Sequence, residues 1–232
     1  MNGRRGRTPA TMVLIVAILL GFVIEVLTGA WTNPAKLAVL GAIVPEWIND
    51  GEVWRLLTAM FLHGDGTPKG TLLHLGVNLI ALFQLGSLYE MMFGTRRFLT
   101  IYFVTGLAAS LTSYVHNAGA SVGASGAIFG ILGAFIFSVR RSPRWRHERA
   151  ARSIVKQLLF WIAVNLAIGA TVPQIDLAAH IGGLVAGLLL GAILPHREPP
   201  PPPAQVVVDV TPYDGGSFAD PAARRDDRSW PE

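Results

Sequence analysis

The sequence predicts an all-α membrane protein, a bundle of six transmembrane helices with both termini on the cytoplasmic side. Three observations predict it. The chain has 232 residues, of which 51% are hydrophobic and only 15% charged, and its mean hydropathy is +0.45. That is too apolar for an ordinary soluble domain. Six stretches are long and apolar enough to be spans: Met12 to Leu27, Leu72 to Phe93, Phe98 to Val115, Ser125 to Val139, Ile154 to Ala170, and Leu177 to Leu194. Finally, lysine and arginine are segregated between the loops, as expected when cytoplasmic loops retain positive charge.

The first span follows Arg4, Arg5 and Arg7 and so mimics a signal peptide. It is long and lacks a small-residue cleavage site, and it reads as a retained helix behind a cytoplasmic segment 1–11. The first loop, about 28–71, mixes polarities and carries Pro34, Pro45, Trp31, Trp47 and Trp54, the pattern of an interfacial loop with short amphipathic pieces. Arg96 and Arg97 follow the second span. The run from Arg140 through Arg152 to Lys156 follows the fourth, and Arg197, Arg224, Arg225 and Arg228 follow the sixth. With the N-terminal arginines these make sixteen of the 19 basic residues; only Lys36, Arg55 and Lys69 fall on the other side. The arginine run is a topology anchor that touches anionic headgroups. The helical region is expected over 12–195. Beyond it, Pro199 to Pro203 and a polar stretch cannot bury a core, so 196–232 is expected to be a disordered, Pro-rich cytoplasmic tail.

Composition also excludes function classes. The chain has no cysteine, which removes disulfides, thiolate metal sites and a cysteine nucleophile. The net charge of +4 is spread between apolar segments rather than gathered into a patch, so no nucleic-acid partner is expected.

Polar residues within spans need a partner or a function. Three groups stand out: His74 with Asn78, Gly123-Ala124-Ser125-Gly126, and His180. At ~1.5 Å per helical residue, Ser125 lies roughly 22 Å from Arg140, His180 roughly 24 Å from His196 and Asn78 roughly 22 Å from Phe93. Against a hydrocarbon core of about 30 Å, all three sit at one level below the outer surface. His180, Gly183, Gly187 and Gly191 share a helix face, and small residues there let a neighbouring helix approach closely. The fourth span offers Gly126, Gly130 and Gly133. Packing the two brings His180 within reach of Ser125, whose hydroxyl needs a base to become nucleophilic. Ser125 also opens its helix, where free N–H groups can hold an oxyanion; His74 and Asn78, four residues apart, supply further donors. Asp176 lies one turn before His180 and nearer the surface, so a two-residue dyad is the simpler arrangement. Phe129, four residues after Ser125, is placed to buttress the imidazole. His74 and His180 as metal ligands lack the company a closed site requires, so neither metal nor cofactor is expected.

These motifs resemble those of the rhomboid intramembrane serine proteases. The pattern GxSGxxxG stands as Gly123 to Gly130, HxxxN as His74 to Asn78, the last-helix histidine as Ala179-His180-Ile181-Gly182-Gly183, the first-loop pair as Trp54-Arg55, and the turn after the second span as Glu90 to Gly94. The resemblance implies a six-helix rhomboid-like bundle around a water-filled cavity open to the outside. It implies Ser125 as nucleophile, His180 as base, and His74, Asn78 and the Ser125 amide as oxyanion donors. Gly123, Gly126, Gly183, Gly187, Arg55 and Glu90 are expected in structural support, Arg55 holding the first loop and Glu90 capping or pinning a loop. The implied reaction is hydrolysis of peptide bonds in or beside transmembrane segments of membrane-protein substrates in a lipid bilayer, most naturally the cell membrane. Phe160 and Trp161 are candidates for a lateral gate. Two departures stand out: Phe129 replaces the tyrosine of some relatives, and a long stretch through Asp65 and Pro68 separates His63 from His74. A catalytically dead relative would lack the serine or histidine that this chain keeps. A transporter would spread its ionisable groups along a path through the bilayer, whereas here they stop at one depth.

Overall fold

A computed structural model describes residues 8–116, 119–143, 145–172 and 175–195. Residues 1–7 of the N-terminal segment and the whole tail 196–232 lie outside the described residues. The described elements are helices: α1 (Pro9–Thr28), α2 (Pro34–Leu40), α3 (Pro45–Asn49), α4 (Arg55–Thr58), α5 (Pro68–Ala81), α6 (Ser87–Phe93), α7 (Thr95–His116), α8 (Ser125–Arg141), α9 (Arg149–Thr171) and α10 (Leu177–Ile193). A π-helical turn, Leu82–Gly86, joins α5 to α6 into one rod from Pro68 to Phe93.

Among the described residues, four helices are long and apolar enough to cross a membrane: α1, the Pro68–Phe93 rod, α7, and α9 from Ala151 onward. The other two expected spans, α8 and α10, are 17 residues each. They are the central pair. α8 is buried along nearly its whole length, and α10 presents Gly183, Gly187 and Gly191 to it. A methyl added at Gly183 would fall 2.0 Å from the Gly126 carbonyl oxygen, and one at Gly187 would fall 2.0 Å from that of Gly130. The two backbones therefore touch where only hydrogen side chains fit. Gly126 is closed from the other side by Ala109 of α7, 2.4 Å from where its methyl would sit.

The second span begins earlier than Leu72. Thr67 caps α5, its hydroxyl accepting from the Gly70 N–H at 3.1 Å, and Pro68 occupies the first helical position, where its missing N–H costs nothing. Between α1 and α5 the chain forms short helices held by Arg55. This side chain is buried; it donates to the carbonyls of Ala38 and Ala42, the latter at 3.1 Å, and to Glu52 at 2.7 Å, and it lies over the rings of Trp47 and Trp54. An antiparallel bridge between Ile43 and Ser121 ties this loop to the segment leading into α8.

Glu90 performs a cap in trans. No side chain caps α1 at Thr8. The Glu90 carboxylate instead accepts the N–H groups of Ala10 and Thr11 at 3.1 and 2.9 Å, together with the hydroxyls of Thr11 and Thr95. It satisfies donors that a helix start leaves bare and complements the positive end of the helix dipole. Glu90→Ala orphans these donors, and thermal unfolding in detergent should show a loss of about 1–3 kcal/mol.

Candidate active site

The site is assembled where α8, α10, α5 and the first loop meet. Gly123 adopts φ +125°, a conformation that L side chains rarely take, and its N–H donates to the Ala59 carbonyl at 2.8 Å. The turn that this permits aims Ser125 at the first position of α8. No side chain caps this helix, so its opening N–H groups have no acceptor within the helix.

His180, in the first turn of α10 and buried, places Nε2 2.8 Å from Ser125 Oγ. The glycine contacts between α8 and α10 set this separation. The Phe129 ring lies flat against the imidazole, with centroids 4.4 Å apart and planes at 11°. Nδ1 of His180 makes no hydrogen bond. Asp176 does not orient it: one carboxylate oxygen accepts from the Ala179 N–H at 2.9 Å, capping α10, and the other accepts from the Ser113 hydroxyl. For Nε2 to accept the serine proton, the ring hydrogen must sit on Nδ1.

His74 borders the same space. A methyl placed on Gly123 would lie 2.7 Å from His74 Nε2 and 3.8 Å from Ser125 Oγ. The other ring nitrogen, Nδ1, lies 3.1 Å from the His63 carbonyl oxygen. A carbonyl only accepts, so Nδ1 is the donor. The Asn78 amide nitrogen donates to the His74 carbonyl one turn earlier on α5, at 2.8 Å, and Asn78 Oδ1 makes no hydrogen bond. The side chain satisfies its amide locally, and one of the two amide hydrogens remains for another partner.

The residues picked out from sequence omit Glu25 and leave His63 without a role. His63 is fully buried and uses three groups. Its N–H donates to Glu25 Oε1 at 2.6 Å, its carbonyl takes the His74 Nδ1 hydrogen, and its Nε2 accepts from the Ala124 N–H at 3.4 Å. Burial, with the His74 ring second, holds the His63 imidazole down to about 3 from an ordinary value of 6.5. The folded protein thus keeps it neutral, as an acceptor must be. Below pH about 6.5 the unfolded chain takes up a proton that the native state refuses, so stability falls as pH drops from 6.5 towards 3, by up to about 1.4 kcal/mol per unit. Melting temperatures across that range should show this slope, and His63→Gln should lessen it. The signal for Glu25 was present in the sequence: it is the one carboxylate in the first apolar run, and an intramembrane acid is a functional candidate by default.

A rhomboid-domain family model matches residues 50–197, which include Ser125, His180, His74 and Asn78. Over 191 residues the chain is 37% identical to "Rhomboid protease GluP" of Bacillus subtilis, covering 82% of this chain and 36% of that protein. It is 36% identical over 161 residues to "RHOMBOID-like protein 5" of Arabidopsis thaliana, covering 68% and 49%, and 39% identical over 166 residues to "RHOMBOID-like protein 2" of the same plant, covering 70% and 49%. The chain thus spans about a third to a half of the length of these curated relatives. Together with the apolar helices of membrane-spanning length, the match makes this a multi-pass integral membrane protein. The chain belongs to the rhomboid family.

Proposed function

We propose that this chain is an intramembrane serine endopeptidase that hydrolyses peptide bonds in or beside the transmembrane segments of other membrane proteins. The observation that carries the reading is the 2.8 Å approach of His180 Nε2 to Ser125 Oγ, a nucleophile and base in hydrogen-bond reach inside an apolar bundle. Ser125 Oγ attacks the scissile carbonyl while its proton passes to His180 Nε2. The charge that develops on the carbonyl oxygen is met by the Ser125 N–H, by Asn78 and by His74. Since Nδ1 of His74 holds its hydrogen towards His63, Nε2 donates only when the ring is doubly protonated. The Phe129 face stabilises the imidazolium formed on His180. His180 then returns its proton to the leaving amine, and a water activated by the same histidine releases the acyl group from Ser125.

The topology proposed for this chemistry counts α8 and α10 as spans, six in all, with both termini cytoplasmic and the site facing the outside of the cell membrane. A 17-residue helix rises about 26 Å, less than the hydrocarbon core, so Ser125 at the start of α8 lies below the surface and water must enter from outside. The proposed domain spans 12–195, followed by a Pro-rich cytoplasmic tail. Gly123, Gly126, Gly183, Gly187, Arg55 and Glu90 hold the site rather than react. Substrate enters between helices, and exposed Phe160 and Trp161 on α9 flank one route. Helices that unwind readily are preferred, because cleavage needs an extended backbone that lipid does not tolerate.

The test is cleavage of a fluorogenic transmembrane substrate by the reconstituted protein. Turnover with a product cut within or beside the span is expected. An inert protein across several helix-destabilised substrates would contradict the reading.

A further inference from the structure

Glu25 is the structural oddity of the first span: a carboxylate near the outer end of α1, fully buried, on a helix whose neighbouring side chains are apolar. Burying it is costly without a partner. Among the described residues its hydrogen-bond partner is backbone: Oε1 accepts the His63 N–H at 2.6 Å, and Oε2 makes no hydrogen bond. Arg55 and Lys36, the basic side chains of the first loop nearest in sequence, are engaged elsewhere, Arg55 with Glu52 and loop carbonyls, Lys36 with the Thr28 carbonyl. Among the described residues Glu25 therefore pairs with no cation, and the contact through which it acts is His63.

His63 joins both halves of the site. Its carbonyl, one residue's width from the N–H that Glu25 holds, fixes the hydrogen of His74 on Nδ1 and so turns Nε2 towards Gly123 and Ser125. Its imidazole accepts the Ala124 N–H, immediately before the nucleophile. His63 lies in an irregular stretch between Leu62 and Thr67, where no helix ladder fixes its backbone. A single strong acceptor from α1 supplies that restraint.

We propose that Glu25 is a positioning residue for the oxyanion side of the site: by anchoring the His63 N–H it holds the His63 carbonyl against the Nδ1–H of His74, which fixes the ring and leaves Nε2, facing the site, as the nitrogen that takes up the second proton and then donates to the oxyanion. The inference rests on the protease reading for its kinetic consequence, though not for its structural one. The property required of residue 25 is an acceptor oxygen at that place, which glutamine supplies and leucine, of similar size, does not.

The test uses the full chain reconstituted in bicelles with ¹⁵N-labelled histidine, the His74 signals being identified by their absence from His74→Asn. In the parent, His74 should show one protonated Nδ1 and no tautomer averaging. Glu25→Leu should average the two tautomers and lower kcat about 10-fold, the size of one lost hydrogen bond, with KM unchanged within about twofold on the same scale. Glu25→Gln should restore the single tautomer and most of kcat. If Glu25→Leu does not fold, Glu25→Asp, one methylene shorter, gives the same comparison and should broaden the His74 signal and reduce kcat. A folded leucine or aspartate variant with parental His74 signals and kcat would overturn the inference, as would a glutamine variant as impaired as leucine. A parent that cleaves nothing would sink the protease reading instead, and the His74 signals, which need no turnover, would still decide the role of Glu25.

Discussion

Ser125→Ala should reduce cleavage by about 10⁴-fold or more while leaving the bundle folded, and His180→Ala should do nearly the same. The reason lies in the geometry. Ser125 Oγ has one base in reach, at 2.8 Å, and Asp176 and Ser113 are engaged with each other and with the start of α10. Among the described residues no other base is hydrogen-bonded to Ser125 Oγ. Because the two residues act as a unit, the double variant should lose no more than the worse single one. The check is the initial rate on a transmembrane substrate, with circular dichroism and melting temperature showing that both variants are folded. Additive losses would mean that serine and histidine act independently, against a dyad.

Gly187→Ala should be, with Gly183→Ala, among the most damaging single methyls in the described residues. At Gly187 the added carbon would sit 2.0 Å from the Gly130 carbonyl oxygen and 2.7 Å from its carbonyl carbon. These are backbone atoms of a buried helix, not the tip of a side chain that can swing away. Overpacking of this kind costs typically about 1–3 kcal/mol, and against backbone the upper end is expected. Separating α10 from α8 also widens the Ser125–His180 gap, and a misplacement of about 1 Å can cost a further 10²-fold in rate. Gly76→Ala on α5 is the control, since a methyl there meets nothing within 4 Å; it should be neutral or slightly stabilising, as alanine favours helix. Denaturation in detergent and the cleavage rate measured together on the two variants check both parts.

What the sequence revealed, and what it did not, follows from the range of the forces involved. Apolar runs and small-residue spacing are local patterns. They placed the helices to within a few residues and put His180 and Ser125 on the facing sides of two glycine-seamed helices. Helix rise alone is what predicts one depth for the three polar groups. α5 starts at Pro68 rather than Leu72, behind Thr67-Pro68, a strong helix opening. The π turn at Leu82–Gly86 leaves no periodic trace. Glu25, His63 and His74 form a chain whose links span 38 and 11 residues, through a loop whose path is set by burial of Arg55 and the Ile43–Ser121 bridge rather than by its own propensity.

The central claim is that Ser125 is a nucleophile activated by His180, and it is tested most directly by covalent capture. The protein is treated with a fluorophosphonate, digested and examined by mass spectrometry. A phosphonyl adduct on the peptide carrying Ser125, absent after His180→Ala in a folded protein, is the predicted result. Labelling at another residue, or undiminished labelling of Ser125 without His180, would contradict it.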